Sequence, residues 1–274
     1  MAESRSRGRP RAFQDKTEQN TVQSLDRALL ILQVLAQGNG LTLTELAQEA
    51  GQSPATAYRV LSTFQSHGFA ELDPGAQRWH IGAGAFRVGS AFLRRTQLAE
   101  RARGAMQMLM RESGETANLG IEERGEVLFL TQVETHEPIR AFFPPGTRSP
   151  MHASGIGKAL LAYMPIPQLI ELSMRGQPGF TAHTLTDISM LERDLIRTRQ
   201  RGFAIDNEER TEGMRCIAAP IFNAHGEAVA GLSISGPVFR LTLERAEEMG
   251  TLVKDAAKSV TDATGGVMPR PRKV

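Results

Sequence analysis

The first stretch of the chain is polar and basic and shows no hydrophobic periodicity, so residues 1–20 are expected to form a flexible basic arm. From Gln23 the pattern turns helical. Leu25, Ala28, Leu29, Leu32 and Leu35 recur at one-face spacing, with Ser24 as the expected N-cap and Gly38 and Gly40 as the stop. Thr42 and Glu45 then form a capping box ahead of a second helix striped by Leu43, Leu46, Ala47 and Ala50. Gly51 breaks it, and Ser53-Pro54 supplies the cap and first-turn proline of a third helix. There Ala57, Val60, Leu61 and Phe64 share one face and are expected in the core, while Ala55, Thr56, Arg59, Ser62, Thr63 and Ser66 share the opposite face. Two strand-like runs, 69–72 and 78–81, flank Asp73-Pro74-Gly75 and read as a hairpin.

Residues 83–113 read as helical, the first part a connector and the second the opening helix of a new domain. Beyond Glu115 strand-like runs lie at 117–123, 126–134, 138–143, 203–207, 215–222 and 228–235, with helices near 155–164, 167–175, 187–201 and 242–262. The expected fold class is therefore α+β. A winged helix-turn-helix at 21–82 is followed by a linker helix at 83–97. An antiparallel sheet covered by helices at 98–265 comes next, then a basic tail at 266–274.

The polar face of the third helix carries the first chemistry. A solvated helix face normally holds several Glu and Lys; this one is short-chained and bears a single guanidinium. Such a face can approach a DNA groove closely and donate hydrogen bonds there. Two helices joined by a short glycine turn have helix-turn-helix geometry, with the second as recognition helix. Arg59 is the expected base-edge contact, with Ser53, Thr56, Ser62 and Thr63 as positioning or weaker readers. Gln77 and Arg78, near the hairpin tip, are expected to reach phosphate or the minor groove. In the arm, Arg7, Arg9 and Arg11 of RGRPR match an AT-hook core suited to a narrow A·T-rich minor groove. One recognition helix reads few base pairs, so a self-associated protein on a palindromic double-stranded operator is expected.

Composition adds bounds. At 274 residues there is room for two domains, and the net charge of +2 points to no partner by itself, although its basic excess falls within the first 96 residues. No run approaches the roughly 20 apolar residues of a membrane helix. The N-terminus lacks a signal-peptide core. The single cysteine, Cys216, excludes an intramolecular disulfide and suits a reducing, cytoplasmic setting without a membrane partner.

Several segments together resemble the IclR family of regulators. They are LTLTELAQEAG with SPATAYRVLSTFQSHGF, RWHIG closing the hairpin, PMHASGIGKALLA at 150–162, RGFAIDNEE at 201–209, GMRCIAAPIF at 213–222 and SISGP at 233–237. The similarity runs from Val22 to Gly265 and is strongest to the acetate-operon (glyoxylate-shunt) repressor branch. It implies a sequence-specific transcriptional regulator with a winged helix-turn-helix and a linker helix. It also implies a GAF/PAS-like effector domain that assembles into dimers or a homotetramer.

Candidate effector chemistry follows. Ser154 to Gly157 precede an apolar run, so the free N–H groups of Gly155 and Ile156 stand at a helix N-terminus and can meet a carboxylate. The alternative is that Gly155 and Gly157 merely permit tight packing. Period-two spacing puts Ser233 and Ser235 on one face of a buried strand, where their hydroxyls need a ligand or backbone partner; Cys216 lies in the strand CIAAPIF. The resemblance implies that Asp206 belongs to the pocket and that Pro138, Ala141 and Met214 form its apolar wall, Pro138 standing where a leucine is expected. An ionised carboxylate only accepts hydrogen bonds, so Asp206 favours a ligand that brings a donor, such as the gem-diol of a hydrated aldehyde acid. That points to a small 2-oxo acid effector, glyoxylate first and pyruvate second, with no cofactor. The alternatives are an aromatic acid, or a constitutive DNA-binding protein whose C-terminal domain only oligomerises. An enzyme using Cys216 with His152 is set aside, because a buried cysteine is usually inert. No catalytic residue is expected, and no metal either, for want of a closely spaced His/Cys set.

Overall fold

The computed structural model describes residues 21–174 and 176–269, so the arm containing Arg7, Arg9 and Arg11 lies outside the described residues. The chain divides into two compact units between Arg95 and Thr96.

The first unit runs α1 (Gln23–Gln37), α2 (Leu43–Glu49), α3 (Pro54–Ser66), the hairpin β1 (Ala70–Asp73) and β2 (Arg78–Ile81), then α4 (Ala83–Thr96). Both halves of the Thr42–Glu45 capping box are formed, and Ser53 caps α3 by accepting from the Thr56 N–H. The core is Ile31, Leu35, Leu46, Ala47, Ala57, Leu61, Ala70 and Trp79. A backbone bridge between Leu41 and Trp79 stitches the hairpin to the loop before α2. Helix α1 departs from the expected stripe. Its cap is Val22, not Ser24, and Leu25 and Leu29 are 57% and 48% exposed while Ile31, Val34 and Leu35 are buried. Only the C-terminal half of α1 is buried in the three-helix core, so the burial face is set by neighbours and not by periodicity along the whole helix.

The second unit opens with α5 (Leu98–Ser113), separated from α4 by Gln97 in the left-handed region at φ 49°. It continues with β3 (Thr116–Glu123), β4 (Glu126–Val133), β5 (Arg148–Pro150), α6 (Gly155–Leu161), α7 (Ile166–Met174) and α8 (Ile188–Arg201). The last elements are β6 (Ala204–Asn207), β7 (Met214–Phe222), β8 (Ala228–Pro237) and α9 (Ala246–Ala263). The sheet is antiparallel between every neighbouring pair, in the order β5-β4-β3-β8-β7-β6. On one face α6 sinks into a core of Val127, Phe129, Ile156, Ala159, Leu191, Leu195 and Ala218. Alternate residues Ile217 and Ala219 of β7 and Leu232 and Ile234 of β8 are buried on the other face, against which α5 and α9 pack. The expected strand at 138–143 is absent, and β5 is an addition. Residues 134–147 form a loop, since Pro138, Pro144 and Pro145 each lack the N–H that a ladder requires. Among the described residues no helix is long and apolar enough to cross a membrane.

Candidate nucleic-acid interface and ligand cavity

Helix α3 turns Ala57 and Leu61 inward and leaves Ala55, Arg59, Thr63 and Ser66 exposed, with Thr56 and Ser62 half-buried. Arg59 carries no ion pair among the described residues, so its guanidinium is free for a partner. The hydroxyls differ from the expectation. Ser62 Oγ donates to the Tyr58 carbonyl at 2.9 Å, Thr63 Oγ1 to Arg59 at 3.0 Å and Ser66 Oγ to Thr63 at 2.8 Å. Their protons are committed to the helix, so as folded they present lone pairs outward and serve as acceptors, not donors. Ser53 Oγ and Thr56 Oγ1 are bonded to each other at 2.9 Å. Tyr58, 55% exposed beside Arg59, escaped the sequence reading because it belongs to neither the apolar nor the short polar stripe.

The hairpin corrects a second expectation. Asp73 Oδ1 accepts from the Gly75 and Ala76 N–H groups, closing the turn, and Gln77 donates from Nε2 to the Pro74 carbonyl at 2.8 Å. Arg78 pairs in register with Asp73, which brings its guanidinium beside the start of α2. There it donates to the Gly40 carbonyl at 2.6 Å and contacts Glu45 at 3.3 Å. It fastens the hairpin to α2 and is not free at the tip.

In the second unit, strand register assembles a polar row. Asp206 pairs with Cys216, Cys216 with Ser235, and Ser235 with Thr116, so these side chains share the face that α6 covers. One row along lie Ala204, Ala218, Ser233 and Asn118. Helix α6 can lie this close only because glycines stand at its contacts with the sheet. A Cβ on Gly155 would stand 2.6 Å from Cys216 Sγ, and one on Gly231 2.7 Å from the Ile156 side chain. Gly157 is pressed against the Met151 backbone in the same way. These contacts bear out the packing role of the glycines. The Gly155 N–H is nevertheless directed at Cys216 and the edge of a cavity.

That cavity encloses about 240 Å³. Of the residues expected there, Ala141, Gly155, Ile156, Asp206, Met214, Cys216 and Ser235 line it. Ser233 does not: it is fully buried in the deeper row, with its Oγ unpartnered. Period-two spacing identifies its face but not its depth. Pro138 is exposed and also absent from the lining, because the loop that replaces the expected strand brings in Ala141, Phe142 and Phe143 instead. Three arginines that the sequence reading missed, Arg140, Arg210 and Arg215, also border the cavity. Arg210 stacks over the Phe180 ring at 4.0 Å and Arg140 pairs with Glu134 at 2.9 Å, while Arg215 alternates with Cys216 along β7, so its guanidinium lies on the opposite face, held by Asn207 Oδ1 and the Leu241 carbonyl. Nothing in their local sequence distinguishes them from surface arginines.

The row is electrostatically unusual. Burial, reinforced by the Glu209 charge, pushes the Asp206 carboxyl up to about 7, even though the Glu209 N–H donates to its Oδ1 at 2.9 Å. Near neutrality Asp206 therefore exists partly as an acid that donates a hydrogen bond, which the expectation of an acceptor-only carboxylate left out. Burial and Asp206 push the Cys216 thiol up to about 11, so it is not a nucleophile at neutral pH. His152 lies apart from this cavity, its Nε2 on the Pro178 carbonyl at 3.0 Å and its ring against Phe180. Behind the row Lys158, expected only as part of an apolar run, is wholly buried. Its Nζ meets Glu209 Oε1 at 2.5 Å, the Ile205 carbonyl at 2.5 Å and Asp194 Oδ2 at 3.0 Å.

A helix-turn-helix unit with an open short-chained face, joined in one chain to a unit holding a small polar cavity, defines a ligand-sensing class of DNA-binding regulator. Two family models match: "IclR helix-turn-helix domain" over residues 24–74 and "Bacterial transcriptional regulator IclR C-terminal" over residues 90–262. The chain belongs to the IclR family of bacterial transcriptional regulators, DNA-binding proteins and not enzymes. It is 52% identical to the HTH-type transcriptional regulator BhcR of Paracoccus denitrificans, covering 97% of this chain and 96% of that one. It is 42% identical to the transcriptional repressor IclR of Escherichia coli, over 95% and 97% of the two chains. The identity to BhcR thus exceeds that to the acetate-operon type of repressor. Among solved structures, the Thermotoga maritima IclR superposes with a TM-score of 0.75 at 28% identity, covering 89% of this chain and 99% of that one.

Proposed function

We propose that this regulator's operator affinity is set by a small carboxylate bound in the cavity of the second unit, a 2-oxo acid with glyoxylate first and pyruvate second. The carrying observation is the row Asp206–Cys216–Ser235 in a cavity of about 240 Å³ bordered by Arg140 and Arg210. Drug-sized ligands occupy roughly 300–1,000 Å³, so the volume favours a small molecule. The guanidinium groups favour an anion. Protonated Asp206 and the Ser235 hydroxyl supply donors to its oxygens, so a ligand need not be hydrated to fit. The stacked Phe129 and Phe143 rings, 4.7 Å apart and both lining the cavity, favour a second reading, an aromatic acid.

On the DNA side, Arg59 is assigned the base-edge contact, bidentate to guanine, while Ser62 and Thr63 accept from adenine or cytosine amino groups. Ser53 and Thr56 position the helix N-terminus and Gln77 reaches the backbone. The exposed Leu25 and Leu29 of α1 and Phe86 and Val88 of α4 call for cover that a second copy supplies, matching a two-fold operator. The decisive experiment is a mobility-shift titration on DNA upstream of the protein's own reading frame, with glyoxylate, pyruvate and an aromatic acid added in turn. A change in operator affinity with a 2-oxo acid is expected. A response to the aromatic acid alone selects the second reading, and no response to any acid leaves a constitutive DNA-binding protein. Arg59→Ala should cost about 1–3 kcal/mol of operator binding and relax specificity at one base pair.

A further inference from the structure

A second cleft of about 330 Å³, separate from the cavity above, lies against α8 and β6 and is lined in part by His183, Asp194, Arg197, Arg201, Asn207 and Glu209. Two atoms of its lining are buried with neither a hydrogen bond nor an ion pair among the described residues. Arg201 donates from Nε to the Phe203 carbonyl at 2.6 Å, but its Nη2 is buried without a partner. Glu209 is 4% exposed; its Oε1 receives Lys158 Nζ, while its Oε2 is buried and unpartnered. A folded chain seldom leaves an inaccessible donor and an inaccessible acceptor unsatisfied around one opening unless something else fills them. The charges add direction. Lys158 lies between Asp194 and Glu209, 3.0 and 2.5 Å from their oxygens, so its charge is taken up by that pair, and Arg197 and Arg201 are the cations that line the opening. Arg197 stands 3.7 Å from Asp194 with its side chain 66% exposed, free to turn toward a ligand.

We propose that this cleft is a second ligand site, taking a small hydroxy carboxylic acid. Its carboxylate lies on Arg197 and Arg201, and its hydroxyl donates to Glu209 Oε2. A simple carboxylate leaves Glu209 Oε2 without its donor.

The test is calorimetric titration of the full chain with lactate, using propionate as the same acid without its hydroxyl. Lactate should bind, and propionate should bind about tenfold or more weakly. Arg197→Gln and Arg201→Gln should each weaken lactate by about tenfold or more, while Ser235→Ala, in the first cavity, should leave it unchanged. Arg197 is exposed and holds no backbone group, so its variant reads binding without loss of the fold. Pyruvate titrated into the same variants reports the first cavity independently. Absence of lactate binding overturns the proposal, as does binding insensitive to Arg197→Gln, or lost only with Ser235→Ala. A pyruvate signal that survives in the arginine variants shows that the first cavity stands regardless.

Discussion

Asp206 ends a row of small polar side chains, and its surroundings decide what it can recognise. Its carboxyl has an ordinary value of 3.8 and is pushed to about 7, first by burial and then by Glu209. The folded chain thus holds a proton that the unfolded chain releases. This residue's contribution to stability is fully present below 3.8 and is lost as pH rises through about 7. An anionic ligand beside Asp206 favours the protonated form further. Effector affinity should therefore fall as pH rises above about 7, by as much as about tenfold per pH unit. Calorimetry in buffers of different ionisation enthalpy should show proton uptake on binding; Asp206→Asn should abolish both the uptake and the pH dependence. Ser235 was legible from alternation, Gly155 from its place before an apolar run and Cys216 from its strand-like run, while Asp206 came from the family resemblance. Arg210 and Lys158 were not, because an arginine in a loop and a lysine in an apolar run show their partners only once distant segments meet.

Among the elements, α3 was the most legible. A thirteen-residue amphipathic helix carries its own phase, and Ser53, Pro54 and the glycine turn before them fix where it starts. The direction of its hydroxyl protons was not legible, since that depends on carbonyls one turn back. Helix α1 illustrates the limit of periodicity: an apolar stripe says which residues can be buried, and neighbours choose which are. Helix α6 shows the reverse case, a short element whose position is dictated by what is missing from its side chains. Gly157→Ala drives a methyl into the Met151 backbone, which cannot rotate away. That substitution should destabilise the second unit by about 1–3 kcal/mol, read as a lower denaturant midpoint with an unchanged slope. Within the loop at 134–147, residues 138–143 read as a strand because Ile139, Phe142 and Phe143 have strand-forming character. Prolines at 138, 144 and 145 exclude ladder pairing, and the aromatic residues line the cavity instead.

At the scale of the whole molecule, the proposed function makes regulation a linkage between two sites on two units. If effector and operator prefer different arrangements of the chain, the factor by which effector changes operator affinity equals the factor by which operator changes effector affinity. Titrating pyruvate into the protein with and without saturating operator DNA should give a ratio of dissociation constants equal to that from mobility shifts with and without pyruvate. Unequal factors would sink the two-site linkage. The sequence by itself determined the α+β class, the helix-turn-helix with its outward face, and most of the cavity's polar row, because caps, turn residues and period-two or 3.6-residue patterns act over a few positions. Only the tertiary structure decided the burial face of α1, the tether on Arg78, the depth of Ser233, the guanidinium groups around the cavity and the shifted Asp206. Each of those depends on through-space neighbours far apart along the chain, and desolvation and charge act through space.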